Sequence, residues 1–430
     1  MLVNMMLLIL SIVIYASFGI TNLIFIMFSI FTSYIATRCF KSKYKKTILI
    51  LTIVANASIL LVIKFITFQN GMFSQLLNFN VMVPLGVSYY TLQVISYLVD
   101  VYKGKYNAEK NIFKYILYIT YIPHLFIGPI SRYDEIKRSL FARRKFTWDN
   151  LYYGSARIVW GLLKKLIIAG RIGILIAIIA SNTDLYVGWY VLLAVFMYSI
   201  QLYSDFSGGI DIVIGVSRIL GIKIQENFDS PFYSQSIKEF WKRWHISLGA
   251  WLKEYIYIPL GGNRKGIIRR NINLLITFFI SGIWHGINYV LWGIIHGIFV
   301  MFGDSCRTPF KWINRLGTFA LVSILWVFFI WGNSFVALKM AASIFTTFNP
   351  MDVIANIPNL GLSLNDWIIL FIFTTIVFVY DGNKAKIKSK LKNVSVELKI
   401  AFLCITILLI LVLGIYGIGF NVNEFIYSKF

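Results

Sequence analysis

Long apolar runs separated by short polar stretches are the feature that most constrains this chain. Residues 47–66 and 400–420 are two of these runs, and each is as long as the roughly 20 residues that a helix needs to cross a bilayer. Hydrophobic residues make up 58% of the sequence and charged residues only 14%, which leaves too little polar surface for a soluble fold of this length. The sequence therefore predicts an all-α polytopic membrane protein with about ten to twelve transmembrane helices plus re-entrant and interfacial helices.

The basic residues lie in short stretches between the apolar runs. The formal net charge is +23, which in a soluble protein would suggest nucleic-acid binding. Clusters at 37–46, 103–114 and 264–270 are instead typical of cytoplasmic loops. We therefore expect a multi-pass protein of the plasma membrane, in contact with membrane lipid, with these loops in the cytoplasm and with no nucleic-acid partner.

The first 80 residues are expected to form N-terminal membrane helices. For residues 1–36 we favour two short helices that break near Gly19, Thr21 and Asn22, and one tilted helix with an overhang is the alternative. Because the apolar run begins at Leu2 and is too long for the core of a signal peptide, we expect it to be retained. The uncharged stretch 67–82 predicts a loop on the outer side.

Residues 115–130 predict a broken or re-entrant helix. This segment is apolar, yet basic loops precede and follow it, so both of its ends are expected on the cytoplasmic side. Pro123, Gly128 and Pro129 interrupt it, and interrupted backbone is tolerated at membrane depth only where protein or a cavity surrounds it. For His124, beside the break, we favour a hydrogen-bonded structural role over a catalytic one.

No strong repeat and no soluble insertion divides the chain. We therefore predict a single integral-membrane domain over residues 1–430. Within it, residues 1–80 form N-terminal helices, 81–300 form a core that holds the motif region 226–297, and 301–430 form C-terminal helices.

Two carboxylates lie within or beside apolar sequence at 203–215. Buried carboxylates in membranes are usually paired or functional. For Asp205 we favour pairing with a basic side chain, and direct contact with a substrate is the alternative. Gly208 and Gly209, which lie between Asp205 and Asp211, permit a bend or a close helix contact.

Residues 228–260 contain no apolar run of membrane-spanning length. At about 100° per residue, five apolar side chains fall on one face of a helix and five charged side chains on the other. The apolar set is Trp241, Trp244, Leu248, Trp251 and Tyr255, and the charged set is Glu239, Lys242, Arg243, Lys253 and Glu254. This pattern predicts one amphipathic interfacial helix with His245 at the border of its faces. An imidazole that merely faces lipid headgroups is the alternative for His245.

A second histidine lies inside an apolar segment, where an ionisable side chain needs a reason to be present. A helix that begins near residue 271 and rises 1.5 Å per residue carries His285 roughly 22 Å beyond Arg270. The residues around this position are small or polar and leave room for a narrow channel: Ser281, Gly282, Gly286 and Asn288. His296 lies three helical turns further on, and we expect it to serve packing.

The motifs of common ATPases, serine hydrolases, zinc proteases and dinucleotide-binding proteins do not occur in the sequence. Cys39, Cys306 and Cys404 form no metal-spaced pattern, so we expect no metal site. The remaining candidates for catalysis are histidines, with no nucleophilic side chain assigned beside them. Such a site suits direct transfer, in which an imidazole takes the proton of a hydroxyl that attacks an acyl thioester.

The motif region resembles the membrane-bound O-acyltransferase family. The stretches that carry the resemblance are VPLGVSYYTLQVISYLVDVYKG at 83–104, GPISRY at 128–133, YSDFSGGIDIVIG at 203–215, ENFDSPFYSQSIKEFWKRWHISLGAWLKEYIYIPLGGNRKG at 226–266, and SGIWHG at 281–286. Within the family, the sequence is most similar to the bacterial branch that O-acetylates exported polysaccharides such as alginate. The branch that transfers D-alanine to teichoic acid is a near relative.

The resemblance implies a role for each of two histidines. His285 matches the histidine that the family uses in catalysis, and His245 matches a second histidine along the reaction cavity. It also implies a ring of helices around a central funnel that the donor enters from the cytoplasm and the acceptor from outside. We expect five further residues to contact substrate: Trp244, Trp241, Asp205, Asn288 and Arg243.

The expected reaction moves an acyl group, acetyl in the first instance, from a cytoplasmic thioester to an extracytoplasmic glycan. Acetyl-CoA or an acyl-carrier protein would serve as co-substrate, and no bound cofactor is expected. An exported SGNH-type acyltransferase is expected as a relay partner. D-alanyl transfer for teichoic acid is an alternative, and a membrane transporter, in which broken helices and buried histidines also occur, is an alternative of another class.

Overall fold

A computed structural model describes residues 2–68, 84–303 and 308–416, and most of these residues are helical. The predicted outer loop at 67–82 falls almost entirely outside these ranges, as do Cys306 and the end of the run 400–420. The helices of the first half are α1 (Leu2–Ser17), α2 (Ile20–Arg38), α3 (Lys45–Phe68), α4 (Val87–Tyr102), α5 (Ile112–Thr120), α6 (Ile122–Phe126), α7 (Tyr133–Leu140), α8 (Trp148–Leu162), α9 (Gly170–Ser181) and α10 (Trp189–Ile219).

The second half continues in the same way, and the described parts of the chain contain no strand. Its helices are α11 (Ile237–Arg243), α12 (Ile246–Leu252), α13 (Gly266–His285), α14 (Val290–Phe302), α15 (Lys311–Leu325), α16 (Val327–Trp331), α17 (Ser334–Thr346), α18 (Pro350–Asn356), α19 (Leu364–Lys392) and α20 (Val396–Leu413).

Several helices are long and apolar enough to cross a membrane. Among the described residues, six segments meet this condition: Ile20–Lys41, Lys45–Ile66, Gly266–His285, Lys311–Trp331, Leu364–Ile387 and Val396–Leu413. Three shorter helices are also apolar, at Val3–Ser17, Ile287–Phe302 and Ser334–Thr346. The prediction of an all-α polytopic membrane protein is confirmed. The larger predicted number of membrane segments and the central funnel stay predictions.

Two predicted helix breaks are confirmed. The N-terminal helices α1 and α2 are separated at Gly19, whose φ of 123° favours glycine. Residues 115–130 are interrupted as expected, because α5 ends at Thr120 and α6 ends at Phe126. His124 is only 1% exposed, and its Nε2 atom lies 3.2 Å from the Ser131 hydroxyl oxygen, which agrees with a structural role.

The described residues fall into two compact units. The first comprises Met1–Gly154, Val213–Glu226 and Ser247–Leu260. Ion pairs connect its polar end: the Lys105 ammonium lies 3.3 Å from Asp100, 3.1 Å from Asp134 and 3.6 Å from Glu254. Arg132 reaches Glu254 at 2.5 Å. The loop after α4, helix α7 and the segment after α12 are therefore held together by charge. The single-domain assignment of the whole chain stays a prediction.

The second unit comprises Ser155–Ile212, Asn227–Ile246 and Gly261–Phe430. Within it, α8 and α10 approach closely at Gly161 and Gly208. A Cβ atom on Gly161 would lie 2.4 Å from the Gly208 carbonyl oxygen, so a larger residue would push the helices apart. The predicted close contact at Gly208 is confirmed, and α10 continues past it to Ile219.

A group of paired charges, here called the ion cluster, lies beside this glycine contact. It consists of Arg157, Lys164, Lys165, Asp205 and Asp211. A π-helical turn at Leu163–Ala169 joins α8 to α9 and presents both lysines to α10. Asp211 accepts from Arg157 at 2.5 Å and from Lys164 at 2.6 Å, and Lys165 pairs with Asp205. Asp205 therefore has the basic partner that we favoured for it.

Candidate active site

The chain around His245 is not the single amphipathic helix that its periodicity predicts. Helix α11 ends at Arg243 and α12 begins at Ile246, and His245 between them has a φ of 48°. This left-handed conformation is uncommon for a residue other than glycine, although asparagine, aspartate and histidine adopt it more readily than most. The single-helix prediction is therefore wrong. Trp244 is extended and His245 is left-handed, yet the apolar periodicity of the sequence persists across both residues.

The irregular segment 227–229 holds this break in place. The Ile246 amide donates to the Asn227 carbonyl oxygen at 3.0 Å, and the Asp229 amide donates to the Arg243 carbonyl oxygen at 2.9 Å. The peptide groups that the break removes from helical bonding thus find partners in 227–229.

His245 lies inside the protein rather than at a lipid-facing border. Its side chain is 2% exposed, and its Nδ1 atom lies 3.4 Å from the Asn227 side-chain oxygen. The Phe206 ring meets the imidazole edge to face at 5.0 Å. The alternative of an imidazole that faces headgroups is therefore wrong. Burial lowers the pKa of His245 to about 3, so its ring is neutral at physiological pH.

His285 is the last residue of α13 and is 6% exposed. The uninterrupted helix Gly266–His285 carries it as far from the basic loop as the sequence predicts. The helix stops at the following residue, Gly286, which has a φ of 148°. Aromatic rings surround the imidazole, with Trp292 at 5.4 Å and Phe329 at 5.6 Å between ring centroids.

Trp284 brings the two histidines into one region. Its ring centroid lies 6.0 Å from that of His245 and 4.8 Å from that of His285, and both imidazoles are turned edge-on to it. We call the region formed by His245, His285, Trp284, Trp292 and Phe329 the histidine pocket. The structure therefore places both predicted catalytic residues against one indole, although 39 residues separate them in the sequence.

Further tryptophans extend this aromatic wall. The Trp241 indole donates to Nδ1 of His296 at 3.3 Å and lies edge-on to Trp292 at 5.6 Å. His296 is fully buried, which agrees with the packing role predicted for it. Trp244 is 4% exposed and lies 5.5 Å from Trp326.

The other residues predicted to contact substrate have partners within the protein. Asp205 is 4% exposed and belongs to the ion cluster. Arg243 pairs with Glu239 at 2.8 Å, one helical turn away, and also approaches Asp229 at 3.9 Å. The backbone oxygen of Asn288 accepts from the Ser334 hydroxyl at 2.7 Å. Contact of these residues with substrate stays a prediction.

Sequence reasoning missed several residues that shape the pocket. Asn227, which is fully buried against His245, lies inside the stretch ENFDSP, but nothing in its spacing indicates the contact. Trp292 and Phe329 are aromatic residues among many in apolar helices, and only the tertiary packing distinguishes them. The concentration of tryptophan around the histidines was the available signal.

Comparison with known proteins identifies the family. The sequence model of the membrane-bound O-acyltransferase family matches residues 10–347. A probable alginate O-acetylase of Pseudomonas putida is 37% identical over 276 residues, which cover 62% of this chain and 56% of that protein. The chain thus spans little more than half the length of this relative.

Two other relatives differ in the group or polymer that their names specify. A peptidoglycan O-acetyltransferase of Helicobacter pylori is 33% identical over 341 residues, covering 69% of this chain and 64% of that protein. A teichoic acid D-alanyltransferase of Bacillus subtilis is 30% identical over 267 residues, covering 58% of this chain and 67% of that protein. The resemblance seen in the motifs is confirmed, and the chain belongs to the membrane-bound O-acyltransferase family.

Proposed function

We propose that this protein transfers an acyl group, acetyl in the first instance, from a cytoplasmic thioester to hydroxyl groups of an extracytoplasmic polysaccharide. The observation that carries the proposal is the pair of buried histidines that both contact Trp284, in a chain of this family. Two of the relatives are named for O-acetylation of alginate and peptidoglycan, which supports a glycan as the acceptor. Family membership argues against the transporter alternative.

The proposed chemistry needs one proton acceptor and no covalent enzyme intermediate. The acceptor hydroxyl oxygen attacks the thioester carbonyl carbon while the His285 imidazole takes its proton. The tetrahedral intermediate then collapses, the carbon–sulfur bond breaks, and the leaving thiolate receives the proton from the imidazolium. The products are an ester on the acceptor and a free thiol, so atoms and charge balance.

His245 is better suited to hold a reactant than to remove a proton. An imidazole with a pKa of about 3 is a weak base at neutral pH, but it still offers a hydrogen bond. Asn227 would orient its ring through Nδ1. Trp241, Trp244 and Asn288 would shape the space that the reactants occupy.

The donor, the partner and the location complete the proposal. Acetyl-CoA or an acyl-carrier protein would deliver the acyl group at the plasma membrane, from the side of the basic loops. An exported SGNH-type acyltransferase would relay the group where the polymer is not acylated directly. D-alanyl transfer is the second candidate, because a teichoic acid D-alanyltransferase is 30% identical to the aligned part of the chain.

The test is to replace His285 by glutamine and measure ester-linked acyl groups on the envelope glycan of cells that produce the variant. Loss of the general base is expected to lower transfer by about 10²–10⁴-fold. The amount of protein in the membrane should stay unchanged, because glutamine keeps most of the side-chain volume.

His296→Gln is the matched control, since this histidine is equally buried but has a packing role. Transfer per amount of folded protein should fall far less in this control. Full activity of His285→Gln would contradict the proposal. Supplying labelled acetyl thioester or a D-alanyl-loaded carrier to isolated membranes distinguishes the two candidate acyl groups.

A further inference from the structure

A cleft in the first unit lies among residues that the proposed reaction does not use. Six of its lining residues define it: Tyr106, Glu109, Lys110, Tyr133, Lys137 and Phe141. Its volume is about 640 Å³, which is within the usual range of small-molecule sites. The cleft is formed by the loop between α4 and α5 together with α7.

The lysines of this cleft differ from their neighbour Lys105 in how their charge is balanced. Three carboxylates lie within 3.6 Å of the Lys105 ammonium. Lys110 and Lys137, in contrast, form no ion pair with any residue that the structure describes. The Lys137 ammonium instead lies 5.0 Å from the ring centroid of Tyr106 and 5.4 Å from that of Tyr133. These cation–π contacts hold the side chain in place and leave its positive charge uncompensated.

The walls of the cleft are held by hydrogen bonds. The Glu109 amide donates to the Tyr97 hydroxyl at 2.8 Å, and the Glu109 carboxylate accepts from the Tyr133 hydroxyl and from the Asn111 amide. Burial opposes ionisation of Glu109, but these hydrogen bonds outweigh it and keep the pKa of the carboxyl below its usual range. The cleft therefore contains one carboxylate within its wall against two ammonium groups, and its net charge is positive.

We propose that this cleft binds a phosphate-bearing ligand, with Lys137 and Lys110 as the groups that recognise the phosphate. Lysine acts as a point charge that suits phosphate oxygens, and the aromatic side chains of Tyr106, Tyr133 and Phe141 offer contact for the remainder of the ligand. We expect the basic loop at 103–114 on the cytoplasmic side, where anionic lipid and soluble phosphate esters both occur. The proposal does not depend on the acyl transfer described above.

The test measures binding by the full-length protein in nanodiscs of phosphatidylcholine. In one arm, pyrophosphate and ADP are titrated and followed by calorimetry. In the other arm, phosphatidylglycerol is added to the bilayer, and native mass spectrometry compares its retention with that of phosphatidylcholine. The proposal expects saturable binding in at least one arm, weakened about tenfold or more by Lys137→Gln, which is the loss expected for one charged hydrogen bond. High salt should weaken it as well.

Lys145→Gln is the matched control, because Lys145 is exposed in the loop after α7 and lies outside the cleft. The Lys145→Gln variant should bind the phosphate-bearing ligand with the same affinity as the wild-type protein. Lys110→Gln provides a second cleft variant at an exposed position, in case Lys137→Gln does not fold. Absence of saturable binding in both arms, or equal binding by the wild-type protein and the folded cleft variants, would overturn the proposal.

Discussion

The ion cluster and the histidine pocket both bury ionisable side chains in the second unit, but they accommodate them differently. In the ion cluster, each carboxylate lies against a cation: Asp211 accepts from Arg157 and Lys164, and Asp205 pairs with Lys165. In the histidine pocket, aromatic rings line the imidazoles of His245 and His285. One region balances charge with charge, and the other encloses imidazoles with aromatic rings.

This difference predicts different consequences of substitution. Removing one member of a buried ion pair leaves its partner charged and uncompensated, which destabilises the fold. Removing an imidazole that is packed against aromatic rings leaves no uncompensated partner charge. We therefore expect substitutions in the ion cluster to lower the amount of folded protein, and substitutions in the histidine pocket to lower its activity.

The largest effect is expected for Asp211→Asn. This change leaves Arg157 and Lys164 without the carboxylate between them, and loss of one partner from a buried pair costs about 3–5 kcal/mol. The unfolding temperature in detergent should decrease, and so should the amount of protein in the membrane. Asp184→Asn is the control, because Asp184 pairs with Lys339 at 3.7 Å but is almost fully exposed. Equal stability of the two variants would contradict the comparison.

His245→Asn should affect activity more than stability. Asparagine tolerates the left-handed backbone at this position but cannot replace the imidazole. We expect about a 100-fold loss in the rate of acyl transfer, equivalent to about 2.7 kcal/mol, with little change in unfolding temperature. A wild-type rate together with wild-type donor affinity would exclude His245 from the site.

Asn227→Ala should have a smaller effect of the same kind. The Asn227 side-chain oxygen lies 3.4 Å from Nδ1 of His245, and we expect its loss to slow transfer about tenfold because the ring is no longer oriented. A double variant that combines Asn227→Ala with His245→Asn distinguishes loss of ring orientation from a general loss of structure. If Asn227 acts through His245, the double variant should be no slower than His245→Asn alone. Additive losses would show an independent role for Asn227.

Arg243→Gln should have the smallest effect. Its ion pair with Glu239 is partly exposed and joins residues one helical turn apart. Such pairs contribute about 0.3–0.5 kcal/mol to stability. The KM for each substrate should change less than about twofold, since the carboxylates that pair with Arg243 are Glu239 and Asp229 of the protein itself. A tenfold increase in KM would instead support the direct substrate contact that we expect for Arg243 from the sequence.

Much of the helical framework could be predicted from apolar length and charge. The break near Gly19, the interruption of 115–130 and the uninterrupted helix to His285 all follow from local composition. The break at His245 could not be predicted, because the two non-helical residues Trp244 and His245 leave the apolar periodicity almost unchanged. The contacts of Asn227 and Trp292 could not be predicted either. They join segments that are distant in sequence, and they depend on how the helices pack.

The left-handed backbone at His245 restricts how this position can change during evolution. A replacement must satisfy a conformational requirement, which favours glycine, asparagine and aspartate, and a chemical requirement, which favours an imidazole. Few amino acids satisfy the first requirement, and histidine alone satisfies both. In a library of all substitutions at this position, folding and activity should therefore select different subsets, with only the original residue in both.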